Sequence, residues 1–351
     1  MSVVIPATDV REWRTHLDVF ARADVCHMPE YHQTYETRTD GAKAVMWCFE
    51  EGSHQFCYPF LLTNVVLGGA DGAIHQTAYS DISSIYGYSG PLSTTDDKDF
   101  LERAWRSFDE WCAGNRVIAE FIRFSVYADN RHLAHADCIV ESNREVAVSF
   151  LPDSDEDLLQ GLGKKTRNMI RKAEQSGLIA CELDVREWLP AFRSLYDETM
   201  RRNQSPSFFD YNDRYYDLLL SLPQGELQLF GVFQGDRFVS SAMALVHGQG
   251  ALYHLGASLQ EFSSLGAGNL GMYEMSRSLR IQGVKFLNVG GGRTTDADDP
   301  LLRFKKSNAT GTAPYYIGKR VVNSDGYREV AKIWQDLYKT TARPEKLIFY
   351  R

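Results

Sequence analysis

The stretch Gly283-Val-Lys-Phe-Leu-Asn-Val-Gly-Gly-Gly292, followed by Pro300-Leu-Leu-Arg-Phe-Lys-Lys306, decides how the rest of the chain is interpreted. It predicts a buried strand that ends in three glycines, then an acidic loop, then two adjacent lysines at the entry to another strand. Glycines let a bound group approach the backbone, because they have no Cβ. Lysines can hold an anion or a developing negative charge. Taken alone, the stretch fits two interpretations equally well: a binding site, or a tight turn followed by a solvated basic patch.

The strands and helices before this stretch give it a context. Residues 227–233, 238–246 and 251–257 predict an antiparallel meander, because short turns containing glycine separate them. A helix over 269–281 follows and leads into the opening stretch. The first half of the chain repeats a cruder version of this order, as helix, hairpin, loop, helix and strand. We therefore predict an α+β fold of two similar units in tandem, each with a mixed, mainly antiparallel sheet flanked by helices.

Length and charge limit the interpretation further. At 351 residues the chain exceeds what one hydrophobic core supports, which favours two domains. The segment Pro152 to Asp157 punctuates the chain, so we predict domains over 1–150 and 151–351. A net charge of −8 argues against a protein that binds DNA through bulk electrostatics.

The N-terminus, the hydropathy and the cysteines indicate where in the cell the protein is located. No basic segment followed by a long apolar run opens the chain, and no window approaches the roughly 18 apolar residues that span a bilayer. Six cysteines without a CxxC pair indicate reduced thiols rather than a disulfide framework. We expect a cytoplasmic protein with no transmembrane segment. His132, His135 and Cys138 have ligand-like spacing, but no second cluster accompanies them, so we predict no metal site.

A basic segment opens the second half. Residues 155–176 predict one helix ending before Gly177, with five cations in nine residues: Lys164, Lys165, Arg167, Arg171 and Lys172. Such a run could meet phosphates, although a solvated helix face is the more frequent explanation.

The first half contains a loop rich in tyrosine and glycine, Tyr79-Ser-Asp-Ile-Ser-Ser-Ile-Tyr-Gly-Tyr-Ser-Gly-Pro-Leu92. We expect an ordered loop in which Asp81, Tyr86 and Tyr88 grip a polar ligand. The alternative is a surface loop whose tyrosines pack flat with hydrated hydroxyls.

Several segments together resemble one family. The YGYSGP loop, the helix KKTRNMIRKAEQSG, the segments Glu198–Asn203 and Tyr253–Ala257, and residues 288–306 look like the FemABX-like (peptidoglycan-bridge aminoacyltransferase) branch of the GNAT superfamily. The resemblance covers about residues 31–318. It implies two tandem GNAT-like domains, the first on the acceptor side and the second on the donor side. It also implies transfer of an activated acyl or aminoacyl group to an amine, with no bound cofactor.

The resemblance assigns roles to individual residues. Lys305 matches a family lysine near the reacting carbonyl, where a cation would stabilise the oxyanion. The resemblance places acceptor binding at Asp81, Tyr86, Tyr88, Arg202, Tyr253 and His254. It places donor binding at Lys164, Lys165, Arg167, Arg171, Gly266, Gly268, Gly290, Gly291 and Lys306. His254 is also a candidate general base. The more common role for a histidine on such a strand is to pack in the core.

Three hypotheses follow. The first is a Fem-type enzyme that uses aminoacyl-tRNA and acts on a peptidoglycan precursor or a small molecule. The second is an acyl-CoA-dependent N-acyltransferase acting on an amino sugar or other small amine. GNAT acetyltransferases grip CoA with a Gln/Arg-x-x-Gly-x-Gly/Ala turn, and Ser263 stands here at the leading position, which weakens this hypothesis. The third is a binding module without catalysis.

Overall fold

The computed structural model describes residues 1–68, 74–342 and 345–350. Its strands and helices, with short 3₁₀ turns between some of them, are numbered here in chain order. The strands are β1 (Ser2–Pro6), β2 (Ala42–Glu51), β3 (His54–Gly68), β4 (Ile74–Ser83), β5 (Leu92–Ser93), β6 (Val117–Arg123), β7 (Ile139–Phe150), β8 (Leu178–Leu183), β9 (Leu227–Gln234), β10 (Arg237–His247), β11 (Gly250–Ser258), β12 (Phe286–Gly290) and β13 (Gly311–Val321). The helices are α1 (Val10–Leu17), α2 (Pro29–Glu36), α3 (Lys98–Gly114), α4 (Asp155–Gly161), α5 (Lys164–Gln175), α6 (Val185–Arg202), α7 (Asp213–Leu220), α8 (Ala267–Ile281), α9 (Pro300–Ser307) and α10 (Ser324–Tyr338).

The chain divides into two compact units. The first unit contains Met1–Ser142 and Tyr316–Arg351, and the second contains Asn143–Tyr315. The first boundary lies near the predicted one at 150, but the last 36 residues belong with the first unit instead of the second. The physical reason is strand pairing, because residues 317–321 of β13 pair with residues 119–123 of β6.

The sheet of the first unit has the order β1-β2-β3-β4-β6-β13, with β5 beside β3. Its pairs are antiparallel except for β4 and β6, which run parallel. Helix α3 covers one face and is capped by Asp97, whose side chain accepts a hydrogen bond from the backbone N–H of Phe100 at 2.7 Å. Its apolar face packs on an aromatic core that includes Trp47, Phe56 and Tyr58.

The sheet of the second unit has the order β7-β12-β11-β10-β9-β8. It is antiparallel except for β11 and β12, which are parallel. Helix α8 lies between these two strands in sequence and packs with β9, β10 and β12 into one apolar core. Both units therefore share a meander, a helix and a strand parallel to the last strand of the meander. The predicted α+β class, with mixed and mainly antiparallel sheets flanked by helices, is confirmed.

Three predicted elements were wrong. The single helix over 155–176 is two helices, because Leu162 and Gly163 are extended and Leu162 turns into the core. The two lysines near 305 do not enter a strand directly but lie in helix α9, which Asp299 caps and Pro300 begins. The tyrosine-rich loop is shorter than expected, because Tyr79–Ser83 belongs to β4. Asp81 in that strand is paired to Thr63 of β3 and Ala119 of β6 and is fully buried.

None of the described helices combines the length and the apolar character that crossing a bilayer requires.

Helix α10 shows why the C-terminal segment belongs with the first unit. Its Val330 packs against Ile118 and Ala119 of β6. At Gly326 the helix approaches so closely that an added Cβ would lie 2.7 Å from Tyr79 and 2.8 Å from Ile118.

We predict that Gly326→Ala destabilises the protein by about 1–3 kcal/mol, because the added methyl overpacks this contact. The measurement is the urea unfolding midpoint followed by circular dichroism. The matched control is Gly114→Ala at the end of α3, where nothing lies within 4 Å of an added Cβ. The control should be neutral or slightly stabilising. Equal midpoints for Gly326→Ala and the native protein would contradict the packing described here.

Candidate active site

A gap between two parallel strands organises the candidate site in the second unit. Strands β11 and β12 pair only over Gly250–Leu252 and Phe286–Asn288, although β11 continues to Ser258. Beyond Leu252 the strands are no longer paired, so Tyr253 and the residues after it border an opening in the sheet. At the same point β11 bulges, since Tyr253 is paired to Ala244 and Leu255 to Met243, with His254 as the extra residue. Bulges re-aim side chains and occur often near active sites.

Lys305 lies at this opening. It is a half-buried residue of α9, and its Nζ is 5.5 Å from the centroid of the Tyr253 ring. Such a distance allows a cation–π attraction. Burial lowers the pKa of Lys305 to about 8, and the negative charge of Asp299 opposes part of that shift. The lysine therefore titrates close to neutral pH while it stands beside an aromatic ring.

Asp299 fixes the position of the helix that carries Lys305. Its Oδ1 accepts hydrogen bonds from the backbone N–H groups of Leu301 and Leu302, and its Oδ2 accepts from those of Arg293 and Thr294. Burial raises the pKa of Asp299, but the hydrogen bonds lower it by more than burial raises it. The pKa of this carboxyl therefore lies below its usual range. A single carboxylate thus caps α9 and closes the loop after β12.

The glycine run has a packing explanation in this structure. An added Cβ at Gly292 would lie 2.5 Å from Oδ1 of Asp299, and one at Gly291 would lie 3.1 Å from Cδ of Arg144. Gly290 has a φ of +89°, in the left-handed region that favours glycine. The run therefore admits Asp299 and Arg144 to the backbone. A role of Gly290 and Gly291 in donor binding stays a prediction.

Tyr253 and His254 are both held firmly. An added Cβ at Gly256 would lie 1.8 Å from the Tyr253 hydroxyl, so only glycine leaves room for that ring. Burial raises the pKa of Tyr253 to about 12, which keeps the hydroxyl protonated near neutral pH. Nε2 of His254 lies 2.5 Å from the hydroxyl of Tyr215, whose ring stacks on Tyr211 at 4.0 Å. His254 is thus hydrogen-bonded in the strand, and its role as a general base or in acceptor binding stays a prediction.

The start of α8 is covered by neighbouring helices. Gly266 has a φ of +87°, and its added Cβ would lie 2.5 Å from the Met169 carbonyl oxygen of α5. The ring of Phe304 lies 3.3 Å from the corresponding position at Gly268. Nζ of Lys172 donates to the carbonyl of Ser264 at 2.7 Å, in the turn before the helix. Gly266 and Ala267 are consequently buried.

Helix α5 is also tied to the helix of Lys305. Oγ1 of Thr166 donates to the carbonyl of Ser307 at 2.6 Å. Nδ2 of Asn269 donates to Oδ1 of Asn308 at 2.8 Å, which joins α8 to the residue after α9. The first turns of α5 and α8 and the last turn of α9 therefore meet in one place.

The five cations of α5 divide into two groups. Arg167 donates to the carbonyls of Gln160 and Leu162, and Lys172 is bound to Ser264, so both support the fold. Lys164, Lys165 and Arg171 are exposed. Four cations of this helix were predicted to bind the donor. Lys164, Lys165 and Arg171 lie at the surface, whereas Arg167 is bound to backbone carbonyls.

Two further predicted residues differ in their surroundings. Lys306 forms an ion pair with Glu145 at 2.6 Å, which lowers the pKa of that carboxyl. Arg202, the last residue of α6, is half-buried, and its Nε and Nη1 are buried without a hydrogen-bond partner. Because buried guanidinium nitrogens without partners are costly, Arg202 is a candidate anion-binding group.

The remaining predicted site residues lie in the first unit. Tyr86 is 48% exposed, with the Arg123 guanidinium 5.9 Å from its ring centroid. Tyr88 is half-buried, and its backbone hydrogen-bonds the thiol of Cys26. A role for these residues and for the buried Asp81 in acceptor binding stays a prediction.

In the described ranges, no group of three His, Cys, Asp or Glu side chains is arranged to hold a metal ion. His132 pairs with Asp96 at 3.1 Å, and His135 pairs with Asp109 at 3.2 Å.

Sequence reasoning missed residues that support the site. The capping role of Asp299 could be predicted from the sequence, since aspartate followed by proline is typical of a helix start. The contacts of Thr166 and Tyr215 could not be predicted, because their partners, Ser307 and His254, are distant in sequence.

Comparison with known proteins identifies one domain in the chain. Residues 162–306 match the model of an acetyltransferase (GNAT) domain. No curated protein sequence matches the chain.

Solved structures have the same fold. FemX matches with a TM-score of 0.70 at 16% identity, over 94% of this chain and 99% of that chain. The C-terminal domain of a putative lysylphosphatidylglycerol synthetase from Agrobacterium fabrum matches with a TM-score of 0.57 at 14% identity, over 94% of this chain and 96% of that one. L-PGS from Bacillus licheniformis has a TM-score of 0.57 at 12% identity, over 93% of this chain and 96% of that one.

The matched segment begins two residues before the basic helix α5 and ends at Lys306, so it contains the strand gap, Lys305 and the start of α8. The predictions of an acyltransferase and of a Fem-type fold are confirmed. Residues 162–306 are thus a GNAT acetyltransferase domain, and the chain as a whole has the fold of FemX.

Proposed function

We propose that the protein transfers an aminoacyl group from aminoacyl-tRNA to the amine of an acceptor that also carries a carboxylate or phosphate. A peptidoglycan precursor and a small amino metabolite both have this chemistry. The observation that carries the proposal is the covered start of α8 beneath a helix whose exposed side chains include Lys164, Lys165 and Arg171. An aminoacyl-tRNA donor would place the reaction in the cytoplasm.

The donor argument starts from the turn that GNAT acetyltransferases use for the CoA pyrophosphate. In this chain the equivalent residues Gly266 and Ala267 are buried, and an added Cβ at Gly266 would lie 2.5 Å from the Met169 carbonyl oxygen. A pyrophosphate could reach them only if α5 moved. The outward face of α5, with Lys164, Lys165 and Arg171, instead offers a cationic surface to a polyanion. Both features favour a nucleic-acid donor.

An acyl-CoA donor is the second candidate, and one observation favours it. Gly266 is the N-cap of helix α8 and provides no side-chain cap, and both glycines of the turn are retained. An uncapped helix N-terminus binds phosphate well. This donor requires displacement of the Lys172 and Met169 contacts that cover the turn.

In the proposed reaction the neutral amine of the acceptor attacks the ester carbonyl of the donor. The tetrahedral intermediate carries a negative oxygen, and the ammonium of Lys305 stabilises it. The carbon–oxygen ester bond then breaks, the ribose oxygen leaves and is protonated, and the nitrogen loses a proton to give the amide. Asp299 and Tyr253 act by positioning Lys305. The protein's main contribution is therefore orientation and a fixed charge.

The acceptor argument rests on Arg202. Its two buried nitrogens lack partners in the structure, whereas an acceptor carboxylate or phosphate would satisfy them. Oγ1 of Thr199, one turn earlier in α6, accepts a hydrogen bond from the backbone N–H of Ser258 at 3.1 Å. The end of α6 is thus fixed against the far end of β11.

We predict that the transfer rate falls as pH rises through about 8, because Lys305 loses its proton there. Lys305→Arg should keep its charge and move this fall to higher pH. Lys305→Met should lower the rate on the order of 10²–10³-fold, as loss of one oxyanion-stabilising group does. The measurement is the pH profile of initial rates for the three proteins.

Lys285→Met is the matched control, since Lys285 is exposed and paired with Asp153 at 2.8 Å. It should leave the profile unchanged. A native pH profile in Lys305→Arg, or a native rate in Lys305→Met, would remove Lys305 from the mechanism.

We predict that replacing Lys164, Lys165 and Arg171 together by Gln weakens binding of aminoacyl-tRNA and reduces its salt dependence. Each lost phosphate contact should reduce the slope of log K against log salt by about 0.7–0.9. The measurement is tRNA affinity by fluorescence anisotropy across a salt series, with transfer assayed in parallel.

The control variant replaces three other exposed cations of the second unit: Arg214, Arg237 and Lys285. If the two triple variants lose equal affinity, the attraction is only diffuse charge. Robust transfer from an acyl-CoA that is insensitive to the α5 substitutions would favour the second candidate donor.

We predict that Arg202→Met raises KM for an anionic acceptor by roughly 10–100-fold, the equivalent of one charged hydrogen bond. A neutral analogue of the same amine should show no such change. The measurement is KM for both acceptors with each protein. An equal loss on both acceptors would show that Arg202 supports the fold and does not read the anion.

A further inference from the structure

Two cysteines of the first unit are directly opposite each other in the sheet. Cys48 of β2 pairs in register with Cys57 of β3. Residues opposite each other in an antiparallel pair have Cα atoms about 4.5–5.5 Å apart. That separation lies inside the range that disulfides span, about 4.4–6.8 Å. The backbone is therefore already arranged for a bond between these two residues.

The side chains complete this arrangement. Both residues are fully buried, and their Sγ atoms are 2.8 Å apart on the same face of the sheet. Among the described cysteines, no other two have sulfur atoms in contact. Cys26 instead lies beside Gly87, and Cys138 beside Gly318. All six are thiols in this structure.

We propose that Cys48 and Cys57 form a reversible cross-strand disulfide, so that the β2–β3 pair is a dithiol–disulfide site. With oxidised glutathione as oxidant, one thiolate attacks the glutathione disulfide and releases one reduced glutathione. The second thiolate then attacks the mixed disulfide, which forms the Cys48–Cys57 bond and releases the second glutathione. Two electrons go to the oxidant, and the two thiol protons pass through solvent to the two departing glutathione thiolates.

Burial determines when this reaction occurs. Burial raises the pKa of Cys48, and the adjacent Cys57 raises it further, so the thiolate is scarce in the folded state. The oxidant also needs access to a sulfur inside the core. The bond therefore forms during folding, or when the β2–β3 region opens locally, and the folded sheet then protects it.

The test is refolding from urea in a glutathione redox buffer, followed by alkylation of the remaining thiols under denaturing conditions. Digestion after glutamate cuts at Glu50 and Glu51 and so separates the two cysteines into different peptides. We expect one disulfide-linked peptide pair, containing Cys48 and Cys57, and alkylation of the other four cysteines. The oxidised protein should have a native near-ultraviolet circular dichroism spectrum and a higher urea midpoint than the reduced protein.

Two variants make the outcome decisive. Cys48→Ala should leave Cys57 alkylated and the urea midpoint insensitive to the redox buffer. Cys112→Ala, which removes a buried thiol outside the pair, should leave the link intact. The proposal is overturned if natively folded protein yields Cys48 and Cys57 as free thiols, or if the linked protein has lost the native spectrum.

Discussion

The second unit depends on a limit to strand pairing. Strands β11 and β12 are hydrogen-bonded over three residues each and then separate, although both continue. A sheet that paired fully would bury its backbone and leave no opening for a substrate. The bulge at His254 supports this separation, because an extra residue turns the strand away from its partner. Tyr253 borders that opening, and Lys305 lies beside its ring.

A balance of two opposing effects sets the chemistry of Lys305. Removal from water favours the neutral amine, whereas the carboxylate of Asp299 favours the cation. Asp299 can exert this effect because four backbone N–H groups keep it ionised inside the protein. The same hydrogen bonds cap α9 and so hold the lysine in place. Asp299 therefore both favours the charged form of Lys305 and holds the helix that carries it. Asp299 can lie so close to residue 292 because that residue is a glycine.

Sequence patterns predicted the local elements of this protein well. The meander, helix α8 and the glycine-ended strand follow from periodicity and turn residues over short windows. Non-local pairing was not accessible in this way. Nothing near Asp81 shows that strands pair with it on both sides, and nothing in residues 316–321 shows that they pair with β6. For the site, composition indicated the cations of α5, but only the structure shows that Arg167 and Lys172 bind backbone carbonyls.

The place of β13 in the first sheet has a consequence for synthesis of the protein. The chain emerges from the ribosome in order, yet the first unit needs residues 317–321 to cover the edge of β6. Until those residues appear, β6 presents an unpaired row of backbone groups, which is a template for wrong pairing. The half made first is thus the half finished last, and the nascent chain must tolerate an open sheet edge throughout translation of the second unit.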